Sequence, residues 1–261
     1  MNTTFLGLLA VAASTLLAVG GMLIVRKRVG TKALTLNHEV AGYLLSVVGT
    51  LYAVLLGFVV VDAMEHTQEI RVLVEQEASG LANIFLCSNG LPKEKRATIQ
   101  RNCDLYAECV INDEWLAMSK GGYSPKSFTL AWLLWKDITN YKPDTEGEKA
   151  IHQQLIAEIC NMTNNRRTRI VNATHGINPL MWTVLIVGGI LTVIFTYFFS
   201  VEDLKAQVLM TVLVALTLSL NILLVFVFSN PFSGDCAVKP DAFRLDRMIF
   251  KNFESGVAPK L

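Results

Sequence analysis

Glu65 and Glu69 are the residues that most invite a chemical reading. They stand four apart near the end of "GTLYAVLLGFVVVDAMEHTQEIR", Gly49 to Arg71. At helical spacing both carboxylates share one face. Traced back toward the N-terminus, that face also carries Val61, Phe58, Val54 and Thr50. An apolar constriction at Val54 and Phe58 followed by acidic rings is the arrangement that passes ions in a symmetric pore. Two other readings of the face are open: a buried helix face whose end is solvated, and a coiled-coil seam. Asp62 sits at the membrane edge, where an exposed carboxylate is ordinary.

Bond-making chemistry finds no footing. There is no Walker lysine loop, no GxGxxG, no GxSxG and no HExxH. His66 follows Glu65 directly, and adjacent helical residues do not face each other. The five cysteines are an odd number without a CxxC, Cys103 and Cys109 point to different faces of a helix, and the four histidines (His38, His66, His152 and His175) are scattered. The expectation is free thiols, no metal, no cofactor and no enzyme. A net charge of +1 gives no reason to expect a nucleic-acid partner.

The elements that carry these residues follow from hydropathy. Of the 261 residues, 52% are hydrophobic and only 17% charged. Four runs lack any charge: Leu6–Val25, Val40–Val61, Leu180–Phe199 and Val208–Phe228. Each approaches the ~20 residues a helix needs to cross a bilayer, and none has a polar stripe. The first run lacks a basic residue before it and has Arg26-Lys27-Arg28 after it, the reverse of a cleaved signal, so it reads as a retained span. The predicted fold class is an all-α membrane protein: transmembrane helices in two pairs, with a helical extramembrane insert between spans 2 and 3. The expected segments are 1–61 (spans 1 and 2), 62–179 (the insert, continuous with span 2), 180–228 (spans 3 and 4) and 229–261 (a turn and an amphipathic tail with Phe243, Met248 and Phe253).

Turn residues divide the insert. Asn89-Gly90-Leu91-Pro92, Gly121-Gly122 with Ser124-Pro125, and Lys142-Pro143-Asp144 each end one helix and start another. The helices expected are an extension of span 2, then Pro92–Ser119, Pro125–Tyr141 and Thr145–His175, with Asp144 or Thr145 as the last N-cap. Ile99, Cys103, Tyr106 and Val110 fall on one apolar face, and Ile151, Leu155, Ile159 and Met162 on another. Trp115 reads as a core anchor.

A second stripe lies on span 2 beside the first: Gly42, Ser46, Gly49, Ala53 and Gly57, small residues that let a helix approach closely, within one subunit or between subunits. Span 3 repeats the idea with Gly188, Thr192, Thr196 and Ser200. On span 4, Asn221 stands one turn from Thr217, as helix glue or as an ion-pathway ligand. The run Arg166-Arg167-Thr168-Arg169 suits lipid phosphates or carboxylates of the span 2 extension, and the favoured pairing is Glu77 with Arg169. Orientation is balanced: Arg26, Lys27, Arg28 and Lys32 on one side are matched by basic residues on the other. Unpaired cysteines in the insert lean it toward a reducing cytoplasm.

"GTLYAVLLGFVVVDAME", "VEQEASGL", "DEWLAM", "INPLMW" and "NPFSGDCAVKPDAF", in that order, resemble the bestrophin-like family of bacterial membrane proteins, from about Val40 to Phe243. True bestrophins are pentameric ion channels whose second transmembrane helix lines the pore. The resemblance therefore implies a homo-oligomer, with a pentamer favoured, that passes small inorganic ions through the bilayer. It places neck positions at Thr50, Val54 and Phe58. Two of the three lack the bulky side chains expected there, and the glycine-rich N-terminal region of bestrophins is missing. Glu65 and Glu69 at the mouth predict cation preference. The other function expected is a non-conducting membrane module whose insert senses or binds a partner.

Overall fold

A computed structural model of the chain describes residues 3–29, 38–174, 176–198 and 203–254. Lys32, His175, Phe199 and Ser200 lie outside these residues, as does the side chain of His38. The fold is 87% helical, and no strand occurs among the described residues. The helices are α1 (Thr3–Val29), α2 (His38–Cys87), α3 (Lys93–Cys109), α4 (Trp115–Met118), α5 (Pro125–Thr139), α6 (Glu146–Thr174), α7 (Pro179–Tyr197), α8 (Leu204–Phe228) and α9 (Asp241–Glu254). Four of them contain stretches long and apolar enough to cross a membrane. The chain is an integral membrane protein.

Side chains at the helix starts explain where the elements begin. Thr145 is the cap of α6: its Oγ1 accepts the Glu148 N–H at 3.2 Å, and Glu148 Oε2 accepts the Asp144 N–H at 3.0 Å, a capping box. Asn178 and Asp203 cap α7 and α8 through Leu180 N and Lys205 N, each at 2.9 Å. Pro125 takes the first position of α5 behind the Ser124 cap, whereas Pro92 stands one residue before α3, as its cap.

The chain forms two compact units. The first is Met1–His66, Gly176–Asn230 and Gly234–Cys236. In it α1 packs along α8, with Ser14 Oγ and Ser219 Oγ 2.8 Å apart and Arg26 donating to Gln207 Oε1. Asp235 accepts the Thr4 N–H at 3.0 Å, which places a carboxylate at the positive end of α1, and Arg26, Lys27 and Arg28 occupy the opposite end. Tyr52, Leu56 and Val59 of α2 pack with Leu185 of α7 and Val225 of α8. This contact needs glycine: a Cβ on Gly188 would stand 2.5 Å from the Tyr52 ring. The Tyr52 hydroxyl donates to the Leu185 carbonyl at 2.7 Å.

The second unit is Thr67–His175, Pro231–Ser233 and Ala237–Leu261, so most of the tail joins the insert. Its core takes Ile70, Val74, Leu81 and Phe85 from α2, Ile99, Cys103 and Tyr106 from α3, Leu134 and Ile138 from α5, and Leu155, Ile159 and Met162 from α6. The tail corrects one expectation. Its buried face is Phe243, Asp246 and Phe250, while Met248 and Phe253 stay exposed. Phe250 stacks on Phe85 with ring centroids 4.1 Å apart.

Candidate functional site

One face of α2 is used up inside the chain. Tyr52, Leu56, Val59, Ala63, Ile70, Val74, Ala78 and Leu81 are all buried, at the three- and four-residue spacing of a single helix face. Thr50, Val54, Phe58, Val61, Glu65 and Glu69 are all exposed. At roughly 100° per residue they lie on the far side of the helix from that buried face. Phe58 is 73% exposed and Val54 54%. Thr50 Oγ1 turns back to the Ser46 carbonyl at 2.6 Å, as hydroxyls in apolar helices do. Glu65 and Glu69 form no ion pair among the described residues.

The small-residue stripe lies between these two faces and has no partner among the described residues. Ser46, Ala53 and Gly57 are exposed, and Gly42 and Gly49 are only half-buried. A Cβ on Gly57 would meet nothing within 4 Å, and one on Gly49 only Leu45 of the same helix. Close approach within a subunit is thus found at Gly188 on α7 and not along this stripe. Asn221 likewise bonds its own helix, donating to the Thr217 carbonyl at 2.9 Å.

A closed polar network lies in the second unit. Arg169, fully buried, forks onto Glu77: Nε donates to Oε2 at 2.6 Å and Nη2 to Oε1 at 3.0 Å. Nη2 also donates to Glu114 Oε2 at 3.1 Å, and Nη1 to Met118 Sδ at 2.7 Å. The guanidinium carbon stands 5.2 Å from the centroid of the Trp115 ring. Tyr106 donates its hydroxyl to Glu77 Oε1 at 2.6 Å. Arg166 Nη2 donates to Glu114 Oε1 at 2.7 Å and to Ser127 Oγ at 3.0 Å, while its Nε has no acceptor. Burial opposes the charge on Arg169, but Glu77 and Glu114 outweigh it and hold the guanidinium protonated. Burial, then Glu77 and Glu114, push the Tyr106 phenol well above its usual range, so it remains a donor.

The expected pair of Glu77 with Arg169 forms, and three more residues join it: Glu114, for which no role was expected, Tyr106, expected only on an apolar face, and Arg166, expected only as part of the basic run. A signal for Glu114 and Arg166 was present. Ile99, Cys103, Tyr106 and Val110 lead by four to Glu114, and Leu155, Ile159 and Met162 lead by four to Arg166 and then by three to Arg169. Each charge therefore occupies a core position of its helix. Glu114 ends a π-helical turn, Val110–Glu114, which joins α3 to α4.

The Bestrophin-like domain profile matches residues 12–243, nearly the whole chain. The chain belongs to the Bestrophin-like family. No curated protein matches it. Among solved structures, a point mutant of a bacterial bestrophin homologue from Klebsiella pneumoniae superposes with a TM-score of 0.71 at 13% identity, covering 92% of this chain and 99% of that one. A second mutant of the Klebsiella pneumoniae homologue gives 0.71 at 12%, covering 94% and 99%. A further structure, described as a membrane protein mutant, gives 0.68 at 13%, covering 94% and 98%. At such identities the likeness shows a shared fold.

In this Bestrophin-like chain the tail adds one more buried charge position. Asp246 of α9 is 6% exposed, and its Oδ2 has no partner. Burial pushes its carboxyl up to about 7. The neighbouring Arg247 is engaged by Asp104, with Nε–Oδ1 at 2.8 Å, and by Glu108 at 3.5 Å. No group of three or more histidine, cysteine, aspartate or glutamate side chains that could hold a metal occurs among the described residues.

Proposed function

We propose that the protein is a homo-oligomeric ion channel, a pentamer, whose pathway is lined by α2. Thr50, Val54 and Phe58 form the apolar neck, and Glu65 and Glu69 the acidic mouth. The observation that carries this reading is that two adjacent faces of α2 have no partner among the described residues of the chain, and one of them is small-residue sequence of the kind that packs helices in lipid. Copies meeting along that stripe turn the Thr50–Phe58 face toward a common axis. Membership of the Bestrophin-like family supports a channel rather than an enzyme. The helical insert and the termini face the cytoplasm of a bacterial inner membrane.

Symmetry multiplies Glu65 and Glu69 into rings that concentrate cations at the mouth, so the channel prefers cations. Purified protein in planar bilayers tests the reading. Conductance is expected, with Phe58→Ala raising it and the double change Glu65→Gln, Glu69→Gln shifting the reversal potential toward anions. An absence of conductance, or a Phe58→Ala protein indistinguishable from wild type, contradicts the neck assignment.

A further inference from the structure

A cavity of the second unit lies between α5 and α6. It holds about 840 Å³, within the range of small-molecule sites. Tyr123, Phe128, Trp132 and Trp135 supply aromatic walls, and Arg166 and Arg167 the cationic ones. Phe128 is 60% exposed and Trp132 53%, although both are large apolar side chains outside the candidate spans. The charge is one-sided. No aspartate or glutamate lines the cavity. Arg166 and Arg169 are balanced by Glu77 and Glu114, whereas Arg167 is exposed and has no carboxylate partner among the described residues. Lys136, also without a carboxylate partner, stands 5.2 Å from the Trp132 ring centroid. Arg166, over the Phe128 ring at 5.8 Å, belongs to the wall with its Nε lacking an acceptor.

We propose that this cavity is a binding site for a soluble aromatic carboxylate. The flat walls stack against the ring of the ligand, as aromatic side chains do with planar partners. The unpaired Arg167 takes the carboxylate, because a guanidinium fork matches its two oxygens, and Lys136 adds positive field. A neutral ring would leave the Arg167 charge unanswered, and an aromatic cation would be repelled. The site draws on none of the α2 residues assigned to the pathway, so it stands whether or not the protein conducts.

The test uses the full chain in detergent and 4-bromobenzoate, whose bromine quenches nearby tryptophan fluorescence. Saturable quenching is expected. It should weaken roughly ten-fold or more for the neutral 4-bromobenzyl alcohol and for Arg167→Glu, the loss of a charge-assisted hydrogen bond. Trp132→Phe with Trp135→Phe should abolish the saturable component and leave only the linear response of Trp115 and Trp182. Arg167 is exposed, so its variant should keep the elution volume of the wild type, which checks folding. Quenching that never saturates, equal binding of the alcohol, or unchanged affinity in Arg167→Glu overturns the proposal. So does a Trp132→Cys protein that forms disulfide-linked oligomers absent from wild type, because the groove would then be filled by a second copy.

Discussion

Arg169, Glu77 and Glu114 show what a charge costs when it takes a core position. Each is fully buried, and each is satisfied by the others, so the cluster is stable only while complete. Arg169→Met leaves Glu77 buried without a cation and Glu114 with Arg166 alone. The expected loss is about 3–5 kcal/mol, read as a fall in thermal midpoint in detergent. Asp246 makes the converse case, a carboxyl with no counter-charge. Its folded value of about 7 lies above the ordinary 3.8, so its contribution is fully present below about pH 4 and is lost as pH rises through 7. The thermal midpoint should therefore fall between pH 5 and pH 8 by more in wild type than in Asp246→Asn, a difference of a few kcal/mol at most. A difference of the opposite sign would mean that Asp246 is ionised and paired. These residues mark how much was legible. The apolar periodicity of α3, α6 and α9 runs through Glu114, Arg166, Arg169 and Asp246, so their burial can be read from spacing. Which carboxylate meets which guanidinium cannot, because those contacts join helices far apart in sequence.

At the scale of elements, α2 teaches the most. Polar residues alternate with apolar ones beyond Thr67, so the face Ile70, Val74, Ala78, Leu81 stands out. Within the span almost every residue is apolar, and that contrast vanishes. Only carrying the same period backward reaches Ala63, Val59, Leu56 and Tyr52, and this is the face the chain buries. The small-residue stripe was as visible as any other, but a stripe names no partner. Two substitutions separate the possibilities. Gly188→Leu drives a side chain into the Tyr52 ring and should cost about 1–3 kcal/mol in the stability of a single chain. A Cβ at Gly57 has nothing within 4 Å, so in Gly57→Leu the midpoint should hold while the assembly falls apart on size exclusion. A Gly57→Leu protein that keeps its assembly would leave the stripe facing lipid.

For the whole molecule, the uncharged runs and the turn residues were enough to predict an all-helical membrane protein with four candidate spans. The long-range partition was not: the tail divides between the two units, and α2 belongs to both. A pathway along α2 exists only if copies surround it. Averaged particle images of the purified chain in lipid discs test this directly. A pentameric ring with α2 innermost and the Phe58 face on the axis is expected. A monomer, or a dimer joined along Gly42–Gly57 with no central axis, would contradict it.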